Sequence, residues 1–318
     1  MATHRLKLVP LNTNIDFVGL RLWAFTIASG LTLLSLVGLF LFGLNFGVDF
    51  RGGILLEART DGPADVASMR GFASNLGLGE VGLQQFGGDR DVLLRIAHQP
   101  GGELEQTAAA EKVRVAFTEA YPGIQFRRAE VVGPQVSREL VVNGFLAVCL
   151  AVAAMMIYVW FRFEWQFGVG AVLALTAVAM TTLGMFAWLQ LEFSLPIIAA
   201  ILTIIGYSMN DTVVIYDRIR ENLRKYRSLE LVDLINRSIN STLARSVNTH
   251  FTTFLATLAL YLFGGEALHG FTLAMIWGVV TGAMSSVFIA APVLLYLEVN
   301  RGSLQRASDA QVAQQPAH

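Results

Sequence analysis

The sequence predicts an α-helical integral membrane protein with six transmembrane helices and a small α+β domain of βαββαβ, ferredoxin-like order. That domain falls between helices 1 and 2, on the extracytoplasmic side. Three observations carry the prediction. Of 318 residues, 54% are hydrophobic and 15% charged, where a soluble domain carries about 25% charged. The apolar residues gather in six runs, each about long enough to cross the hydrocarbon of a bilayer. Lysine and arginine are also distributed one-sidedly over the connections.

The first run, Leu22–Gly43, follows a segment 1–21 that holds Arg5, Lys7 and Arg21. It is too long for a signal-peptide core, and "GLNFGVDF" after it offers no small-residue cleavage pattern, so it reads as a retained anchor. The remaining runs are Leu140–Phe161, Phe167–Leu189, Leu195–Tyr216, Ser238–Phe263 and Phe271–Leu297. Six spans put both termini on one side. Arg162, Arg218, Arg220, Arg224, Lys225, Arg227, Arg237, Arg301 and Arg306 join the N-terminal cations there, whereas the loops around Gln190–Ser194 and Gly264–Gly270 hold no Lys or Arg. That bias places both termini in the cytoplasm, residues 44–139 outside, an amphipathic segment 217–237 at the cytoplasmic face, and a cytoplasmic tail 298–318 expected to be disordered.

Within 44–139, "VDFRGGILLEA" is strand-like and "PADVASMRGFASNLGL" has helical spacing that ends at Gly77 and Gly79. "VGLQQF" and "DVLLRIA" flank "GGDR" as a hairpin. "ELEQTAAAEKVRVAFTEAY" is a second helix stopped by Pro122-Gly123, and "IQFRRAEVV" is the last strand. This is the ferredoxin-like order. The domain shows no nucleophile–base pair or metal-ligand cluster, and His98 reads as a loop histidine.

Composition excludes several function classes. A net charge of −1 argues against a nucleic-acid partner. The one cysteine, Cys149, lies in an apolar run and reads as a buried structural thiol. None of Lys7, Lys112 and Lys225 is followed by Ser or Thr, so no P-loop can be written. The chain is expected to be no enzyme and to need neither metal nor cofactor. Any work it performs draws on an ion gradient or a partner.

"IGYSMNDTVVIYDRIREN" (Ile205–Asn222) carries the sharpest feature. Asp211, beside Asn210, lies roughly 8 Å inside Tyr216 at the helical rise per residue. An acidic side chain deep in a bilayer costs about 2.5–3.5 kcal/mol on insertion scales. A carboxyl taken out of water can hold a proton and release it to either side, as in membrane pumps. The alternative, a hydrogen bond to a neighbouring helix or a place among headgroups, stays open. No Gly or Pro occurs between Tyr207 and Phe263, so the fifth helix can begin well before its apolar part. Arg245, Asn248, Thr249 and Thr252 then share a face. That stripe can face Asp211 and Asn210, with Arg245 as the partner of Asp211, or Arg245 can snorkel to lipid phosphate. His250 points away from Arg245 and reads as a packing or interhelical residue. Gly278-x-x-x-Gly282, followed by Ser285 and Ser286, marks the last helix for close packing.

With these residues in view, the chain resembles the SecF family, the small membrane subunits of the bacterial SecD–SecF protein-export complex, within the resistance–nodulation–division superfamily. "GVDFRGG" resembles the family's first-loop signature through Gly47, Asp49, Phe50, Gly52 and Gly53. "VVGPQVSREL" resembles the entry to its second helix, and "LTIIGYSMNDTVVIYDRIREN" its most diagnostic stretch, with Gly206, Asp217 and Arg218. "SVNTHFTT" and "GAMSSVFIAAPVL" fit the last two helices. Arg51, Ser137 and His250 depart from the usual pattern. The resemblance implies a bacterial inner-membrane protein that uses proton-motive force in polypeptide export, with Asp211 and Arg245 as the proton relay. It also implies as partners a SecD subunit, the protein-conducting Sec channel, other insertion factors, the translocating polypeptide and membrane lipid. A proton-coupled solute exporter of the same superfamily and a passive scaffold for a translocation channel are the competing readings.

Overall fold

The computed structural model describes residues 13–79, 81–85, 88–226, 228–265, 268–297 and 299. His4, Arg5, Lys7, Arg227, Arg301, Arg306, His318 and nearly all of the expected tail lie outside the described residues. The chain divides into two compact units, one of residues 44–149 with 191–198, the other of 1–43, 150–190 and 199–318.

The first unit is built on a four-stranded antiparallel sheet. Its strands are β2 (Gly53–Arg59), β3 (Val81–Gln85), β4 (Asp91–Ile96) and β5 (Gln125–Val132), in the order β3-β4-β2-β5, preceded in sequence by a short β1 (Asn45–Phe46). Alternation places Ile54, Leu56 and Ala58 of β2 on the face that packs against Met69 and Ala73 of α3 (Val66–Ser74) and Val113 and Phe117 of α4 (Glu103–Ala120). On the other face Leu55 and Leu93 lie under Val48 of α2 (Val48–Arg51). The strand expected from Val48 onward is therefore corrected at its start. Gly47 opens a helical turn with Asp49 in it, and Gly52 (φ 72°) and Gly53 (φ 119°) end that turn and redirect the chain into β2. A Cβ on Gly53 would stand 2.5 Å from the Ile96 carbonyl oxygen, so both its backbone angle and its surroundings require glycine.

The loop expected at Gln190–Ser194 contains a strand. Glu192–Phe193 (β6) pairs in parallel with β1, Arg95 of β4 forms an ion pair with Glu192 at 2.5 Å, and Phe50 stacks on Phe193. Asp49 accepts from the Leu195 N–H at 2.8 Å, an N-terminal cap for the helix that begins there. α5 (Pro134–Arg162) contributes its first half to this unit. Cys149 is exposed on it rather than buried, because that stretch of α5 turns its apolar side chains outward instead of into the chain's own core.

The second unit is a helical bundle of α1 (Arg21–Leu41), the rest of α5, α6 (Trp165–Leu189), α7 (Leu195–Lys225), α8 (Leu231–Phe263), α9 (His269–Ser285), a π-helical stretch Ser286–Ala290 and α10 (Ala291–Tyr296). Small residues set the helix spacing. Gly184 of α6 admits Ser35 of α1, and Gly278 of α9 admits Ile204 of α7. Gly170 of α6 leaves room for the Tyr216 hydroxyl, which donates to the Ala290 carbonyl at 3.1 Å. Pro292, which lacks an N–H to continue the ladder, follows the π-helical stretch. Among the described residues five helical segments are long and apolar enough to cross a membrane: Arg21–Leu41, Val136–Arg162, Trp165–Leu189, Leu195–Lys225 and His269–Tyr296. α8 is not among them, since Asn236, Arg237, Asn240, Arg245, Asn248 and His250 interrupt its apolar character.

The entry to α1 is strapped to α8. Asn240 accepts from the Ile15 N–H (2.9 Å) and donates to the Ile15 carbonyl (2.8 Å). Asn236 accepts from the Val18 N–H (2.9 Å) and donates to Asp16 (2.7 Å). Asn236 and Asn240 are one turn apart, so a single helix face binds backbone groups of the segment that turns into α1.

Candidate functional site

α7 is amphipathic in an inverted sense, with its polar residues Ser208, Asp211 and Thr212 turned into the bundle. Thr212 and one oxygen of Asp211 are matched there, while the Ser208 hydroxyl is buried without a hydrogen-bond partner. Ser286 of the π-helical stretch bonds the Thr212 hydroxyl (2.8 Å) and donates to the Ser208 carbonyl (3.3 Å). Ser246 of α8 donates to Asp211 Oδ1 at 2.5 Å, as short as hydroxyls make to carboxylates. Asp211 is 8% exposed, and its second oxygen, Oδ2, is buried without a hydrogen-bond partner.

One turn beyond Ser246 lies His250, also buried. Its Nδ1 is 2.8 Å from the Ser246 carbonyl, which can only accept, so Nδ1 carries a hydrogen. Nε2 is buried and unpartnered. The Tyr207 ring meets the imidazole edge-on at 5.1 Å. Asp211, Ser246 and His250 line one cavity of about 350 Å³ between α7, α8 and α9, floored by Val287 and Phe288 and closed at one side by Phe17 of the strap. Two buried polar atoms without partners thus belong to residues that line a cavity large enough to hold water.

The structure brings Asp211 to Ser246 and His250, not to Arg245. Arg245, Asn248 and Thr252 are exposed, and so is Asn210. The Thr249 and Thr252 hydroxyls bond carbonyls of their own helix at 2.9 and 3.0 Å. The expected Arg245–Asp211 pairing is therefore corrected within this chain. Arg245 and Ser246 are neighbours about 100° apart on α8, and it is the Ser246–His250 face that turns inward. His250 packs between helices, edge-on to Tyr207 of α7, and lines the Asp211 cavity as well. A signal for both was present in the sequence, since Ser246 and His250 are spaced i, i+4, but the arginine-headed stripe beside them is equally polar.

The other signature residues act as structural ties. Asp217 accepts from Arg162 at 2.9 Å, and Arg218 donates to Ser241 (3.0 Å) and Glu221 (2.6 Å). Gly282 packs near Ser208, and Ser285 bonds the Gly282 carbonyl. A Cβ on Gly206 would meet only Met155 at an ordinary 3.7 Å, so nothing within this chain demands glycine there. Among the described residues no cluster of three or more His, Cys, Asp or Glu could hold a metal ion.

Comparison with known proteins gives a consistent set. Residues 112–300 match the family "Protein export membrane protein SecD/SecF, C-terminal", and residues 37–64 match the "SecD/SecF GG Motif". The protein translocase subunit SecF of Rickettsia rickettsii is 43% identical over 302 residues, 95% of this chain and 97% of that protein. SecF of Rickettsia felis is 42% identical over 295 residues, 92% of this chain and 95% of that protein. The crystal structure of SecDF, a translocon-associated membrane protein from Thermus thermophilus, superposes with a TM-score of 0.84 at 33% identity over 92% of this chain. The chain spans 40% of that longer one.

Proposed function

Because the chain belongs to the SecF branch of the SecD/SecF family of protein-export membrane proteins, we propose that it couples proton movement across the bacterial inner membrane to polypeptide export, with Asp211 as the proton carrier. The observation that carries this reading is the buried Asp211 carboxyl, held at one oxygen by Ser246 and open at the other, on a helix long and apolar enough to cross a membrane. Left charged and unpaired at such depth it would be a net cost, so its presence argues for a proton with a function.

In this reading Ser246 orients the carboxyl, and His250 Nε2 offers a second acceptor on the same cavity. Arg245, exposed with Asn210, Asn248 and Thr252, faces the SecD-type partner and completes the relay there. Alternation of Asp211 between protonated and charged states biases two arrangements of α7 against α8. The six-span topology counts α8 as the remaining span, with both termini cytoplasmic. The β3-β4-β2-β5 order supports a ferredoxin-like domain that receives emerging polypeptide or the partner on the outer side. The absence of a Walker sequence supports gradient energy over nucleotide hydrolysis.

The test is export of a reporter preprotein by the assembled complex carrying Asp211→Asn, with the proton gradient intact and collapsed. Normal assembly with loss of the gradient-dependent component is expected. Unchanged gradient dependence would sink the relay and favour a scaffold.

A further inference from the structure

At the end of α5 and the last turns of α7, Arg162, Arg220, Arg224 and Lys225 surround a cavity of about 580 Å³ whose lining also holds the carboxylates of Asp217 and Glu221. Both carboxylates are already engaged, Asp217 by Arg162 at 2.9 Å and Glu221 by Arg218 at 2.6 Å. Arg220 is nevertheless held in place. Its Nη1 donates to the Arg162 carbonyl at 2.9 Å, and it shares the Phe163 ring with Arg162, the two guanidiniums lying 5.4 and 5.2 Å from the centroid. Arg224 and Arg162 lie near enough to repel Arg220, and Asp217 and Glu164 near enough to attract it. Its Nε is buried and has no acceptor.

A preorganised guanidinium with an unused donor, beside two further cations without carboxylate partners among the described residues, lacks an anion. The surroundings say which kind. Trp160, Phe161 and Trp165 flank Arg162 with 72%, 91% and 58% of their surfaces exposed, as aromatic side chains do at the headgroup level. The apolar lengths of α5 and α7 run on from the same point. We infer that this pocket binds the phosphodiester of an anionic phospholipid, with Arg220 and Arg224 as its main contacts and the acyl chains lying along α5. The inference is independent of the proton reading, since none of these residues touches the Asp211 cavity.

The test places the full chain, with its SecD-type partner, in nanodiscs of phosphatidylcholine doped with phosphatidylglycerol. Native mass spectrometry after extraction then counts the lipid that stays bound. Enrichment of phosphatidylglycerol over phosphatidylcholine is expected. Arg220→Gln and Arg224→Gln should each lower it about fivefold, the factor that corresponds to about 1 kcal/mol per basic side chain near a membrane surface. Arg224 is exposed, so its variant keeps the test readable if Arg220→Gln disturbs folding. Arg237→Gln, outside the pocket, should leave the enrichment unchanged. An equal loss with Arg237→Gln would mean diffuse attraction and would overturn the proposal, as would unaltered enrichment in both pocket variants. Excess inorganic phosphate should not strip the lipid, and if it does, the pocket takes free phosphate and the lipid assignment fails.

Discussion

Replacing Gly278 by alanine tests whether close packing of α9 on α7 holds the Asp211 helix in place. The new Cβ would stand 2.4 Å from Cδ1 and Cγ1 of Ile204 and 2.5 Å from its Cγ2. Carbon pairs rest at about 3.5–4.0 Å, so the deficit exceeds 1 Å. Ile204 is 2% exposed and β-branched, so it has little freedom to rotate away. The helices must part, and the Ser286 bonds to Thr212 and the Ser208 carbonyl, at 2.8 and 3.3 Å, would stretch past bonding distance. Overpacking costs about 1–3 kcal/mol, and a lost buried hydrogen bond adds about 1 kcal/mol. The expected destabilisation is therefore about 2–4 kcal/mol, read from a denaturant titration of the complex in mild detergent. Ile204→Ala alone should cost about 2–5 kcal/mol. In the double variant the costs should fall short of their sum by about 1 kcal/mol or more, because alanine at 204 empties the space that alanine at 278 fills. Strict additivity, or a Gly278→Ala variant as stable as the parent, would refute the packing argument.

Gly53→Ala should destabilise the sheet unit by about 1–3 kcal/mol through backbone strain and the Ile96 contact, seen as faster hydrogen exchange in β2 and β4 of the full chain, and unaltered protection would contradict the φ argument. Arg245→Ala should leave stability within about 0.5 kcal/mol, since the side chain is exposed, yet abolish gradient-dependent export; a stability loss with intact export would reverse its assignment. The Asp16 carboxyl is held below its ordinary value of 3.8 by the Gly19 N–H and then by Asn236. A carboxyl depressed in the folded state stabilises above its unfolded value, and the contribution is lost as pH falls through the folded one. Protection factors of the Val18 and Gly19 amides should therefore stay level from neutral pH to about 4 and decline only below it. A decline nearer neutral would show that another group anchors the strap.

Five of the six expected spans coincide with helices long and apolar enough to cross a membrane, because hydropathy over 20 residues is a coarse quantity that neighbouring helices hardly alter. The sheet unit was legible because period-2 alternation and glycine breaks mark strands locally, although the Val48–Arg51 turn was hidden by the strand-like composition of its residues. The face of α8 was not legible. Arg245, Asn248 and Thr252 on one side and Ser246 and His250 on the next are both polar, and only packing against α7 shows which side this chain keeps and which it leaves exposed. The strap and the Arg95–Glu192 pair were invisible for another reason, since each joins residues far apart in sequence that have no local pattern in common.

The strap also bears on how the protein is made. Ile15 and Val18 bond side chains that are 225 and 218 residues further along the chain. At a synthesis rate of about 5–20 residues per second, the start of α1 leaves the ribosome about 10–45 s before Asn236 and Asn240 exist to receive it. During that interval α1 can rest on α6, which follows sooner, but its N-terminal end stays free to tilt and slide. The order of manufacture thus makes α8 the element that ends this freedom, so the first helix reaches its final registration only in a late step.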